Sequence, residues 1–161
     1  LRQILKVIGI DPGLAETGFG IVQGSASRIR DYTFGTIRTS KTETLPDRLH
    51  HIFSELGSIL NSEKPDLMII EDIFSLKQYP KSGIALGKVC GVILLACSQC
   101  GIQAMEVPVR EVKRILTGSG SASKSQMERV VRHLLKRDKP ITPSHASDAV
   151  ALALVGVFRN G

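Results

Sequence analysis

Ile4-Leu-Lys-Val-Ile-Gly-Ile-Asp-Pro-Gly13 is an apolar run that stops on a single carboxylate and then turns. The run, closed by the turn pair Pro12-Gly13, predicts a buried strand from Ile4 to Asp11 with the acid at its C-terminal end. Leu67-Met-Ile-Ile70 repeats the pattern and delivers Glu71 in the same way. Two buried strands that each end on an acid already bias the reading toward a sheet with chemistry at its carboxyl edge.

The segments around these two strands complete the layout. Extended stretches over Gly18–Gln23 and Arg28–Thr39, with a hairpin turn at Gly24-Ser25, should pair antiparallel. Leu45-Pro46-Asp47 opens a helix to about Asn61, its apolar face marked by Leu49, Ile52, Phe53, Leu56, Ile59 and Leu60. Pro65-Asp66 closes that segment. Beyond a polar loop from Ser75 to Pro80, a second helix runs from about Ser82 to Cys100. It carries Gly83, Gly87 and Gly91 at every fourth position, a stripe suited either to core packing on the sheet or to a homodimer interface. Gln103–Val107 reads as a short strand. Two basic helices, Arg110–Leu116 and Ser123–Arg137, follow across the Gly118-Ser-Gly-Ser-Ala122 connection. Thr142-Pro143 reads as an N-cap with proline in the first turn of a last helix that reaches Phe158. Antiparallel strands in front and strand–helix alternation behind predict an α/β protein: a five-stranded mixed sheet flanked by helices on both faces.

With 161 residues, 42% of them hydrophobic, the chain is long enough for one domain with its own core, needing neither disulfides nor structural metal. Its three cysteines, Cys90, Cys97 and Cys100, match neither a disulfide framework nor a zinc-finger spacing, which fits a reducing cytoplasm. The apolar run Val89–Cys97 is far short of a bilayer span and the N-terminus has no signal-peptide layout, so a cytoplasmic protein with no membrane role is expected. The formal net charge of +6 is concentrated. Between Pro108 and Lys139 nine Lys and Arg face three acids, and the rest of the chain is neutral. A neutral body with a basic C-terminal third is the footprint of a polyanion-binding face, although a solvated helix surface would also account for it.

Asp148 is a third acid, in the first turns of the last helix, and His145 three residues earlier shares its helix face. Acids gathered in one cleft repel one another and need cations to stay ionised together. Oxygen donors of this kind suit Mg2+ or Mn2+. Two such ions about 4 Å apart activate a water and stabilise the leaving oxygen in phosphoryl displacement. The reaction inferred from Asp11, Glu71, Asp148 and His145 is metal-assisted phosphodiester hydrolysis. Each residue also has a structural account: Asp11 as a turn former, Glu71 as half of a surface pair with Asp72, Asp148 as an acid favoured by the helix dipole, and His145 as a satisfied polar group.

Ile8-Gly-Ile-Asp-Pro-Gly13, Ile37-Arg-Thr39, Glu71 with Phe74, Ala85-Leu-Gly87 with Gly91, Val112-Lys113, Gly118-Ser-Gly-Ser-Ala-Ser-Lys-Ser-Gln126 and His145-Ala-Ser-Asp-Ala149 occur in that order. Together they closely resemble the RuvC family of Holliday junction resolvases over essentially the whole chain. The resemblance implies an RNase H-like fold filling residues 1–161 as a single nuclease domain. It further implies a bacterial homodimer that nicks two like-oriented strands of four-way junction DNA symmetrically, leaving ligatable 5′-phosphate ends, in recombination and repair. Asp11, Glu71, His145 and Asp148 match the catalytic metal-binding set for two Mg2+ or Mn2+ ions. Lys113 and Lys124 match lysines near the scissile phosphate, and Phe74 an aromatic that stacks on opened bases, as any base offers a π-face. Lys77 remains from a loop that carries a Lys-Asn pair elsewhere in the family. A branch-migration motor as partner is implied by the resemblance alone. His145 stands where many members carry Asp, and Cys90 where an arginine is common. The competing functions are an RNase H-like nuclease that processes structured RNA, an actin-like ATPase or sugar kinase, and a branched-DNA-binding module without catalysis. Junction-type Phe74, Lys113 and Lys124 argue against the first. The second fold needs two such domains, and retention of all the acids argues against the third.

Overall fold

The structure is a computed structural model that describes residues 3–73 and 80–161. In chain order it comprises β1 (Leu5–Asp11), β2 (Glu16–Ser25), β3 (Arg28–Arg38), α1 (Leu45–Glu63), β4 (Leu67–Glu71), α2 (Pro80–Gln99), β5 (Gln103–Val107), α3 (Val109–Thr117), α4 (Lys124–Leu134) and α5 (Ser144–Asn160). The five strands form one sheet in the order β3-β2-β1-β4-β5. β3, β2 and β1 pair antiparallel, whereas β1, β4 and β5 run parallel. This is the mixed, helix-flanked RNase H-like sheet expected from the sequence.

Strand alternation divides the core in two. Val7, Val22, Leu67 and Ile69 face a cluster built on α5, α4 and α3, while Ile8, Ile10, Ile21, Met68 and Ile70 face one built on α1 and α2. α5 is buried on most of its circumference. It lies directly on the sheet because Gly9, Gly18 and Gly20 remove the side chains that would hold it off. A methyl group at Gly9 would run into the Ala149 carbonyl oxygen, and one at Gly18 into that of His145.

Three details differ from the sequence reading, and a fourth narrows the two roles left open for the glycine stripe of α2. The β2–β3 turn falls at Ala26-Ser27, because Gly24 stays inside β2 at a register shift where its Cβ would strike the Arg28 carbonyl. α4 stops at Leu134 rather than Arg137: the N–H groups of Lys136 and Arg137 donate back to the His133 and Arg132 carbonyls, with Lys136 in the left-handed region at φ 52°. That is the Schellman closure, with lysine where glycine is usual. Thr142 does not cap α5; Pro143 occupies the N-cap position in extended conformation, and no side chain caps the end. Finally, Gly83, Gly87 and Gly91 do not pack on the core. Nothing lies within 4 Å of a Cβ built at any of them, and α2 buries Val89, Ile93, Ala96 and Cys97 instead.

Candidate active site

The pleat decides where the acids go. Asp11 follows Val7 and Gly9 on the α5 side of β1, and Glu71 follows Leu67 and Ile69 on the same side of β4, since alternate residues share a face. β1 and β4 are adjacent and parallel, with Ile10 opposite Ile70, so the two carboxylates leave the sheet side by side. The turn after Asp11 is held by Thr17, fully buried, whose hydroxyl donates to the Gly13 carbonyl at 2.7 Å and accepts from the Gly13 N–H at 3.3 Å. Thr39 braces the other side of this loop through a hydroxyl donated to the Leu14 carbonyl, and Arg48 donates in turn to Thr39 at 2.8 Å.

α5 brings the remaining two groups. His145 Nδ1 lies 2.7 Å from Asp11 Oδ2; the carboxylate accepts from the ring N–H, leaving Nε2 outside this bond. Asp148, one helical turn on, forms an ion pair with Lys124 at 3.6 Å. Asp11, Glu71, His145 and Asp148 line one cleft of about 250 Å³ together with Lys113 and Lys124. The sequence reading brought Asp11, Glu71, His145 and Asp148 together by residue type and added Lys113 and Lys124 from the family resemblance; all six line this one space. Apart from Val112, that reading did not single out the apolar lining, which comes from Val109, Val112, Met127, Ala151 and Leu152. Ala151 and Leu152 stand three and four residues after Asp148, so helical periodicity was the signal for them. Phe74 and Lys77 lie outside the described residues.

The acids are electrostatically frustrated. Burial, a hydrogen bond with Asp11, and the charges of Asp11 and Asp148 raise Glu71 to a pKa of about 8, against the pull of Lys124. Burial also raises Asp148, with Lys124 opposing and Asp11 reinforcing the shift. Carboxyl groups so placed accept a cation readily, because a nearby positive charge relieves both the desolvation and the mutual repulsion. Among the described residues, no three of the His, Cys, Asp and Glu side chains stand close enough to enclose a metal ion as they are. The cleft instead holds paired groups: Asp11 with His145, Asp11 with Glu71, and Asp148 with Lys124. Cys90 packs half-buried against the α1–α2 core, its thiol pushed up to about 11 by burial and by the charges of Glu106, Glu71 and Asp72.

The basic third of the sequence does not form one face. Lys113 and Lys124 line the cleft, whereas Lys136 and Arg137 lie beside β3, where Arg137 stacks over the Phe34 ring at 5.2 Å. Among the described residues no helix is long and apolar enough to cross a membrane.

The family model for crossover junction endodeoxyribonuclease RuvC matches residues 7–156. The crossover junction endodeoxyribonuclease RuvC of Syntrophomonas wolfei is 37% identical over 150 residues, covering 93% of this chain and 87% of that protein. The one from Caldicellulosiruptor saccharolyticus is 38% identical over 157 residues, covering 96% and 93%. Among solved structures, Thermus thermophilus RuvC in complex with Holliday junction substrate superposes with a TM-score of 0.91 at 28% identity, covering 96% of this chain and 94% of that one.

Proposed function

Belonging to the RuvC family of crossover junction endodeoxyribonucleases, the chain is a Holliday junction resolvase, and we propose that it nicks two like-oriented strands of a four-way junction symmetrically by Mg2+-assisted hydrolysis, as a single nuclease domain in the bacterial cytoplasm. The observation that carries the chemistry is the delivery of Asp11 and Glu71 from adjacent parallel strands into the cleft that α5 closes with His145 and Asp148.

The donor set suits a hard divalent ion. Three carboxyl groups and an imidazole share one cleft, and two of the carboxyls are held above their ordinary range by burial and by the neighbouring acids. Asp11, Glu71, Asp148 and His145 would hold two Mg2+ or Mn2+ ions. Bound there, such ions would supply Lewis-acid stabilisation of the phosphate and a lowered pKa for the attacking water. The protein's own groups do the positioning. Asp11 fixes the ring of His145, which leaves Nε2 to bind a ligand or carry a proton. Lys113 and Lys124 flank the same space and hold the scissile phosphate. When Lys124 turns to that phosphate it releases Asp148, so substrate and metal seat together. Phe74, three residues after Glu71 in sequence, stacks on a base opened at the crossover, and Lys77 adds a backbone contact.

Paired nicks need two clefts, and we assign the dimer contact to α2. Ile84 and Leu95 are 63% and 54% exposed, and with Gly87 and Gly91 they recur at helical spacing on its outer side. Large exposed apolar side chains flanking glycines let a second backbone come close. A branch-migration motor is the further partner proposed.

Incubation with a synthetic four-way junction, a linear duplex and an RNA hairpin, each with and without Mg2+, tests this function. Cleavage confined to the junction and to Mg2+ is expected, with Asp11→Asn binding the junction but not cutting it. Equal cutting of the RNA hairpin, or an active Asp11→Asn variant, overturns the assignment.

A further inference from the structure

A second concave site lies at the opposite end of α5. His145 and Phe158 are 13 residues apart on that helix, which at 1.5 Å per residue separates them by about 20 Å. Around Phe158 the start of β3 and the turn after α4 enclose a groove of about 210 Å³. Ile29, Leu134 and Phe158 give it apolar walls, and Arg28, Arg30 and Lys136 stand at its rim, all three exposed. Among the described residues none of these three cations is in an ion pair.

The groove is held open by its own bracing. The Schellman closure ends α4 at Leu134 and turns the chain toward β3. Arg137 fixes that turn, donating to the Lys139 carbonyl at 2.9 Å while its guanidinium lies on Phe34, which in turn stacks on Tyr32. Asp31, the nearest acid on the strand, accepts from the Tyr32 N–H at 2.8 Å. Among the described residues β3 ends the sheet order, so its outer edge offers backbone groups for pairing.

We infer that this groove docks an acidic, extended segment of a partner protein that carries one large apolar anchor. Charge complementarity selects the acidic chemistry: three exposed cations line a pocket that, among the described residues, has no carboxylate in its lining. The volume selects an anchor side chain, because small-molecule sites run to about 300–1,000 Å³. The apolar walls and the adjoining strand edge favour peptide over nucleic acid, whose backbone would meet the cations but leave the walls uncovered. The position, away from the catalytic cleft, lets a partner stay attached while a junction is being cut.

Amide NMR on the labelled protein tests the inference. The probe is a synthetic nine-residue peptide with one leucine flanked by glutamates, compared with the same peptide bearing serine for the leucine. Saturable shifts confined to residues 26–32, 134–136 and 158 are expected with the leucine peptide. The serine peptide and the double variant Arg28→Glu/Arg30→Glu should each bind about tenfold more weakly. Junction cleavage by that variant should equal that of the parent. Equal binding of both peptides, or no saturable shift at these amides, overturns the inference. So does displacement of the peptide by duplex DNA, or a loss of junction affinity in the double variant, either of which makes the groove a nucleic-acid contact.

Discussion

Replacing Glu71 with glutamine should stabilise the metal-free protein at neutral pH. In the folded chain burial, the hydrogen bond and charge of Asp11, and the charge of Asp148 hold this carboxyl at about 8, against 4.5 for an ordinary glutamate. Folded protein therefore keeps a proton that the unfolded chain gives up. The stability this provides is complete below pH 4.5 and is lost as pH rises through 8. At about 1.36 kcal/mol per pH unit, the interval from 4.5 to 7 amounts to a penalty on the order of 3 kcal/mol. Glutamine has nearly the same shape and no charge to suppress. In EDTA the parent and Glu71→Gln should melt together near pH 4.5. At pH 7 the variant should melt higher, by about 2–4 °C for each kcal/mol in a chain of this size. Adding Mg2+ should narrow the gap, because a cation seated beside the carboxylates favours their charged form. Calorimetric or fluorescence melts across pH 4–9 read all of this. A gap that does not change with pH, or a variant less stable than the parent at pH 7, would refute the account of the acid pair.

Gly9→Ala should cost about 1–3 kcal/mol or more in thermal or denaturant unfolding, because its methyl group meets the backbone of α5 rather than a movable side chain. The same displacement should lengthen the Asp11–His145 contact and reduce cleavage in protein that is still folded. Gly91→Glu should leave the protomer folded, since nothing lies within 4 Å of the new Cβ and glutamate favours helix over glycine. In sedimentation it should shift a dimer to monomer, and plasmid-borne junctions should then receive single rather than paired nicks. Phe74→Ala should bind junctions in a gel-shift assay yet cut them slowly; normal turnover would deny Phe74 its stacking role.

The two strands that carry Asp11 and Glu71 could be read from the sequence because their signals are local. An apolar run bounded by a turn has one stable placement, at the centre of a sheet, and an acid at its end then has one exit, at the carboxyl edge. His145 and Asp148 were equally legible, being one helical turn apart. Their meeting with Asp11 was not, because it depends on α5 touching the sheet, and the residues that allow this contact, Gly9, Gly18 and Gly20, announce themselves only by what they lack. The same holds for Gly24. As the residue most suited to a turn it pulled the predicted hairpin two residues too early, whereas the fold uses it where the chains of β2 and β3 crowd each other.

The basic third shows where adjacency in sequence misleads. Nine cations between Pro108 and Lys139 read as one surface so long as the second basic helix is taken to run on to Arg137. Lys136 carries no sequence mark of a helix end, since the residue that usually signals a left-handed cap is glycine or asparagine. Once the chain reverses there, Lys113 and Lys124 remain beside the acids while Lys136 crosses to the far end of α5. One block of charge thus becomes two groups serving different surfaces. The proposed phosphate position in the acid-bearing cleft is lined by Lys113 and Lys124 and not by Lys136, so charge reversal at Arg28 and Arg30, which share the groove of Lys136, tests that second surface without touching the acids.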